Sequence, residues 1–95
     1  VTAVRHLVLF RFHDSVDQET RTNALESVRA LRELPGILEW RLEVSTDDRK
    51  GVVVAQNVLF DSESAFQRYR QDPRHRRAGE VLAELADWLV ADYAE

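Results

Sequence analysis

A chain of 95 residues with no cysteine has room for one domain, and no means of building a disulfide framework, thiolate chemistry or a zinc–thiolate site. Its formal net charge of -4 argues against non-specific binding to nucleic acid or to an anionic membrane, and its longest apolar runs are too short to span a bilayer. With 44% hydrophobic residues and nothing that reads as a leader, it is expected to be an ordinary cytoplasmic globular domain.

Val4 to Phe12 (VRHLVLFRF) is apolar at almost every position and rich in β-branched and aromatic residues, the pattern of a strand covered on both faces. Ser15 and Gln18 have capping-box spacing, and Asp17 and Glu19 suit the positive end of a helix. That helix is expected from Asp17 to Leu34, with Ala24, Leu25, Val28, Leu31 and Leu34 as its apolar stripe, stopped by Pro35-Gly36. Ile37 to Thr46 alternates, with Leu38, Trp40, Leu42 and Val44 on one face, as an edge strand does. Thr46 to Gly51 is a polar hairpin connection, and Val52 to Phe60 a second apolar strand, expected to be central. Asp61 or Ser62 caps the next helix, whose buried side is Ala65, Phe66 and Tyr69. Asp72-Pro73 breaks it, and a new helix from about Arg74 carries Ala78, Val81, Leu82 and Leu85 on a common face. Trp88 to Tyr93 reads as a closing strand.

The order predicts an α+β fold with ferredoxin-like βαββαβ layout, a four-stranded antiparallel sheet with helices on one face. Two strands apolar on both faces leave a sheet surface that helices cannot cover. A second copy of the same sheet is the simplest cover, so a homodimer closing an α/β barrel is expected.

The opening RHLVLFRF, LRELPG, VLFDSESAFQRY, DPRH and the terminal LVADY together resemble the stress-responsive A/B barrel (Dabb) domain over nearly the whole of residues 1–95. The most specific piece is Tyr69-Arg70-Gln71-Asp72-Pro73-Arg74-His75. The resemblance implies the ferredoxin-like fold and a dimeric α+β barrel, with no cofactor. Many members have no established activity. One is a cofactor-independent plant polyketide cyclase, in which the residues matching Tyr69 and His75 are the catalytic pair and the one matching His6 lines the same cavity. A second cavity-lining His of that cyclase has no counterpart, since Val54 falls at about its place.

Physically, an imidazole titrates near neutrality and a phenol donates well to a developing enolate, so His75 suits a general base and Tyr69 an orienting donor. The opposing reading packs His75 against backbone at the helix break and makes Tyr69 a core aromatic. His6 shares a face with Val8, Phe10 and Phe12, whereas His13 lies on the opposite face. No His/Asp/Glu grouping has metal-ligand spacing, and there is no phosphate loop or nucleophile elbow. Arg68, Arg70, Arg74, Arg76 and Arg77 crowd the break, either as a solvated face or as a welcome for an anion. Three functions follow. They are a non-enzymatic or activity-unknown dimeric domain that is stress-associated or binds a small apolar ligand, a cyclase-like enzyme using the Tyr/His pair on a polyketide-like compound, and oxygenase-like chemistry on an aromatic. An enzyme needs a closed, mainly apolar cavity of several hundred Å³ reaching Tyr69 and His75.

Overall fold

The computed structural model describes residues 2–95. They form β1 (Val4–Phe12), α1 (Gln18–Arg29), β2 (Ile37–Val44), β3 (Val53–Phe60), α2 (Glu63–Gln71), α3 (Pro73–Leu85) and β4 (Ala86–Ala94). The strands make one antiparallel sheet in the order β2-β3-β1-β4, with the helices on one face. This is the ferredoxin-like α+β arrangement, its second helix divided at Asp72-Pro73. The two apolar strands, β1 and β3, sit in the middle, and the alternating β2 lies at an edge, as the sequence predicts.

Register decides which side chains meet. On the helix side, His6 of β1 lies opposite Val58 of β3 and Asp92 of β4, and Val8 opposite Gln56 and Val90. The core forms on this side. Phe12, Phe60, Val28, Val54 and Val58 are its largest fully buried side chains, and each contributes about 1.5–3 kcal/mol by leaving water. On the other side, Leu9 stands opposite Ala55 and Leu89, and Arg5 opposite Leu59 and Tyr93. Leu9, Leu89 and Tyr93 are exposed there, Leu89 to 75%. Arg5 donates to Asn57 Oδ1 (2.9 Å), Glu39 (3.0 Å) and Glu95 (2.8 Å), and so rims this apolar strip with charge.

Several boundaries differ from the sequence reading. Asp17, rather than Ser15, caps α1, its carboxylate accepting from the Thr20 amide at 2.8 Å. The α-helix ends at Arg29 and tightens into a 3-10 turn over Ala30–Glu33 before Leu34 turns extended ahead of Pro35. In β2 a register irregularity between Ile37 and Glu39 takes Leu38 out of the alternation, leaving it 60% exposed. Ser62 caps α2, accepting from the Ala65 amide. Pro73 is the first residue of α3 rather than its flank, because a missing N–H costs nothing in the first turn. Val81 points to solvent instead of joining Ala78 and Leu82. β4 runs longer than Trp88 to Tyr93, since its whole length pairs with β1. Gly36 has a φ of +89° and its Cα faces Ala65, so that an added Cβ would stand 2.5 Å from the Ala65 Cβ. Only glycine fits this approach of the β2 entrance to α2.

Candidate functional site

The break between α2 and α3 builds one wall of the site. Residues 69 and 75 in a continuous helix would point about 120° apart around its axis and stand about 9 Å apart along it, and could not meet. Asp72 is extended (φ -64°, ψ 134°), as a residue before proline prefers, and serves both helices. Its amide donates to the Tyr69 carbonyl at 3.2 Å, and its carboxylate accepts from the Arg74 amide at 2.8 Å. The Arg74 side chain, and after it that amide, hold the Asp72 carboxyl below its usual value. The turn swings the first turn of α3 back over α2. The rings of Tyr69 and His75 then stand 4.7 Å apart, tilted by 57°.

The other wall is the helix side of the sheet. His6 Nδ1 lies 2.5 Å from Asp92 Oδ1, a cross-strand pair that follows directly from the β1–β4 register. With Nδ1 held by a carboxylate, Nε2 is the free nitrogen of the ring. The His6 ring is 6.2 Å from that of Tyr69 and 5.0 Å from that of Phe66. Behind Tyr69, Gln56 Nε2 donates to the phenol oxygen at 3.2 Å. The phenol proton is therefore free to donate elsewhere. Burial pushes the Tyr69 hydroxyl up to about 12, with the Gln56 bond opposing, so the phenol stays protonated at neutral pH. His75 is shifted down, first by burial and then by the neighbouring His6, while the backbone of Arg70 acts the other way. A neutral imidazole carries one N–H and presents its other nitrogen as an acceptor.

His6, Tyr69 and His75 share one cavity of about 320 Å³ between the sheet and the helices. Its walls are mostly apolar, from Val8, Phe10, Phe66, Leu82 and Trp88 among others, with Gln56 and Asp92 as further polar groups. It is mainly apolar and reaches both Tyr69 and His75, as expected of an enzyme, but the expected closure is not met: Trp88 and Val90 line it yet remain exposed, so it opens along the β4 edge. β4 is an edge strand of the sheet.

The three residues singled out from the sequence are thus brought together. His13 is not, lying beyond β1 with Nε2 3.5 Å from Asp87. Of the arginines at the break, Arg74 turns onto Asp72 and only Arg70 lines the cavity. Val54 is fully buried in the core and does not reach the cavity; the polar β3 side chain there is Gln56. A polar residue in the row Val54, Gln56, Val58, Phe60 is itself a signal, since every other member is apolar and buried. Asp92 has no such signal, because its partner depends on register. Among the described residues no three His, Cys, Asp or Glu side chains gather as a metal site, and no helix is long and apolar enough to cross a membrane.

The model of the stress responsive A/B barrel domain matches residues 4–95. The chain belongs to this family. An uncharacterized protein of Streptomyces coelicolor is 34% identical over 95 residues, covering 95% of this chain and 97% of its own. Among solved structures, a dimeric ferredoxin-like protein of unknown function from Thermobifida fusca superposes with a TM-score of 0.86 at 22% identity, over 99% of this chain and 92% of that one. Hydroxynitrile lyase from Passiflora edulis superposes with a TM-score of 0.85 at 19% identity, over 98% of this chain and 93% of that one. At these identities the two structures establish the fold of this A/B barrel domain and nothing of its chemistry.

Proposed function

We propose that this A/B barrel domain is a cofactor-independent acid–base enzyme acting on a small, mainly apolar carbonyl compound, and that it works as a homodimer packed sheet against sheet. One observation carries the chemical reading: a neutral-biased imidazole, His75, and a protonated phenol, Tyr69, face the same apolar cavity with a second imidazole, His6, opposite. The Tyr69 hydroxyl donates to the substrate carbonyl oxygen and His75 removes a proton from the adjacent carbon, so that the C–H electron pair moves into an enolate. Gln56 orients the hydroxyl. The imidazolium formed at His75 returns the proton, while His6, held by Asp92, lines the far side of the cavity.

The dimer reading is supported by the apolar strip of Leu9, Leu89 and Tyr93 on the sheet face without helices, and by the dimeric Thermobifida fusca neighbour. Pairing of two such strips buries surface that a small domain cannot cover alone.

The test is deuterium incorporation at the methyl group of 4-acetylbenzamide in D2O, followed by proton NMR. Wild-type protein is expected to accelerate exchange over buffer, and His75→Ala and Tyr69→Phe each to lose at least about a hundredfold of that acceleration. Equal exchange by wild type and both variants rejects the assigned roles.

A further inference from the structure

The arginines at the α2–α3 break are not equivalent. Arg70 lines the cavity, whereas Arg68, Arg74, Arg76 and Arg77 do not. Its guanidinium carbon stands 5.6 Å from the centre of the Phe66 ring, a cation–π contact with a residue that is itself part of the cavity wall. Its charge is felt at His75, whose proton affinity it helps to lower. Among the described residues no carboxylate oxygen comes within 4.0 Å of its nitrogens.

The acidic groups nearby are already engaged. Asp72 accepts from the Arg74 amide and side chain, and Asp92 is paired with His6. Arg70 is thus a cation held at the cavity by an aromatic face and lacking an anion. The planar fork of a guanidinium matches a carboxylate in two parallel hydrogen bonds. A single guanidinium also balances one negative charge, and at the start of α3 the Arg74 amide is taken by the Asp72 carboxylate and the Arg76 amide by the Asp72 carbonyl, so this helix end offers few donors to a phosphate dianion.

We infer that the cavity takes a ligand with an apolar body and one carboxylate, the carboxylate paired with Arg70 at the mouth and the carbonyl directed to Tyr69. This rests on the acid–base reading above and names its substrate class: a carbonyl compound bearing a carboxylate. Arg70 then discriminates among carbonyl compounds, while His75 and Tyr69 act on whichever one is bound.

The experiment compares 4-acetylbenzoate with the uncharged 4-acetylbenzamide, by calorimetric titration of the full chain at physiological salt. A charged hydrogen-bonded pair at a partly exposed mouth is expected to give the carboxylate an advantage of about tenfold or more in affinity. Arg70→Gln is expected to abolish that preference, Arg70→Lys to keep part of it, and Arg76→Gln, on the exposed side of α3, to keep it whole. Equal affinities of wild type for the two probes overturn the carboxylate assignment and leave the acid–base reading standing. A preference that survives in Arg70→Gln overturns it as well. Binding of neither probe overturns both readings.

Discussion

Replacing Tyr69 by Phe tests whether Gln56 and Tyr69 act as one unit. The amide and the hydroxyl meet at 3.2 Å, with the two residues only 4% and 2% exposed. The ring contacts survive the change, since Phe60 and His75 lie 4.9 Å and 4.7 Å from the ring centre. What is lost is one neutral hydrogen bond, and what remains is an amide donor without its partner. Such a bond contributes about 1 kcal/mol net, and a stranded buried donor costs about 1–3 kcal/mol. Because Gln56 lines the cavity, water can take up part of the loss, which places the expected destabilisation at about 1–1.5 kcal/mol. Gln56→Leu alone is expected to cost a similar amount, by stranding the hydroxyl. The double variant removes both partners and is expected within about 1 kcal/mol of wild type, so the cycle shows a coupling of about 1 kcal/mol or more. Urea unfolding followed by Trp40 and Trp88 fluorescence measures all four proteins, at one protomer concentration because association shifts the midpoint. Strict additivity of the two single changes would refute the reasoning, for it would mean that Gln56 does not hold the phenol.

Three further outcomes are expected. Gly36→Ala meets both a positive φ and the Ala65 side chain, and is expected to lose more than about 2 kcal/mol, whereas Gly79→Ala, with nothing within 4 Å, gains about 0.5–1 kcal/mol; comparable thermal midpoints for the two would contradict this. Burial and the neighbouring His6 set His75 below its unfolded value, so its contribution to stability is complete above the unfolded value, about 6.5, and falls as pH drops through it toward the folded one. His75→Gln is therefore expected to flatten the acid side of the stability profile; parallel profiles would show that the ring titrates as it does in the unfolded chain. Leu9→Asp with Leu89→Asp places carboxylates opposite one another on the helix-free sheet face, and light scattering is expected to show monomers of unchanged far-UV spectrum. A wild-type protein already monomeric at micromolar concentration would dispose of the sheet-to-sheet dimer.

Much of this protein is written in local pattern. The near-continuous apolar runs of Val4 to Phe12 and Val52 to Phe60 mark the strands that lie in the middle of the sheet. Pro35-Gly36 and Asp72-Pro73 mark the two helix ends, since proline's missing N–H and the restriction on its preceding residue act within a residue or two. His6, Tyr69 and His75 are legible as candidates for the same reason: strand alternation and the proline break place each on a known face. Their meeting is not. The capping choice between Ser15 and Asp17, the 3-10 tightening at Ala30 and the slip at Leu38 depend on small differences that neighbouring elements settle. The pairing of His6 with Asp92, 86 positions away, exists only because β4 takes one register on β1, and a shift by one residue would turn Asp92 to the other face. Gln56 behind Tyr69, and Arg70 alone among the arginines at the cavity, follow likewise from how the α2–α3 corner sits on the sheet. Periodicity assigns a side chain to a face, but distance between faces belongs to the packed whole, and the chemistry of this cavity depends on those distances.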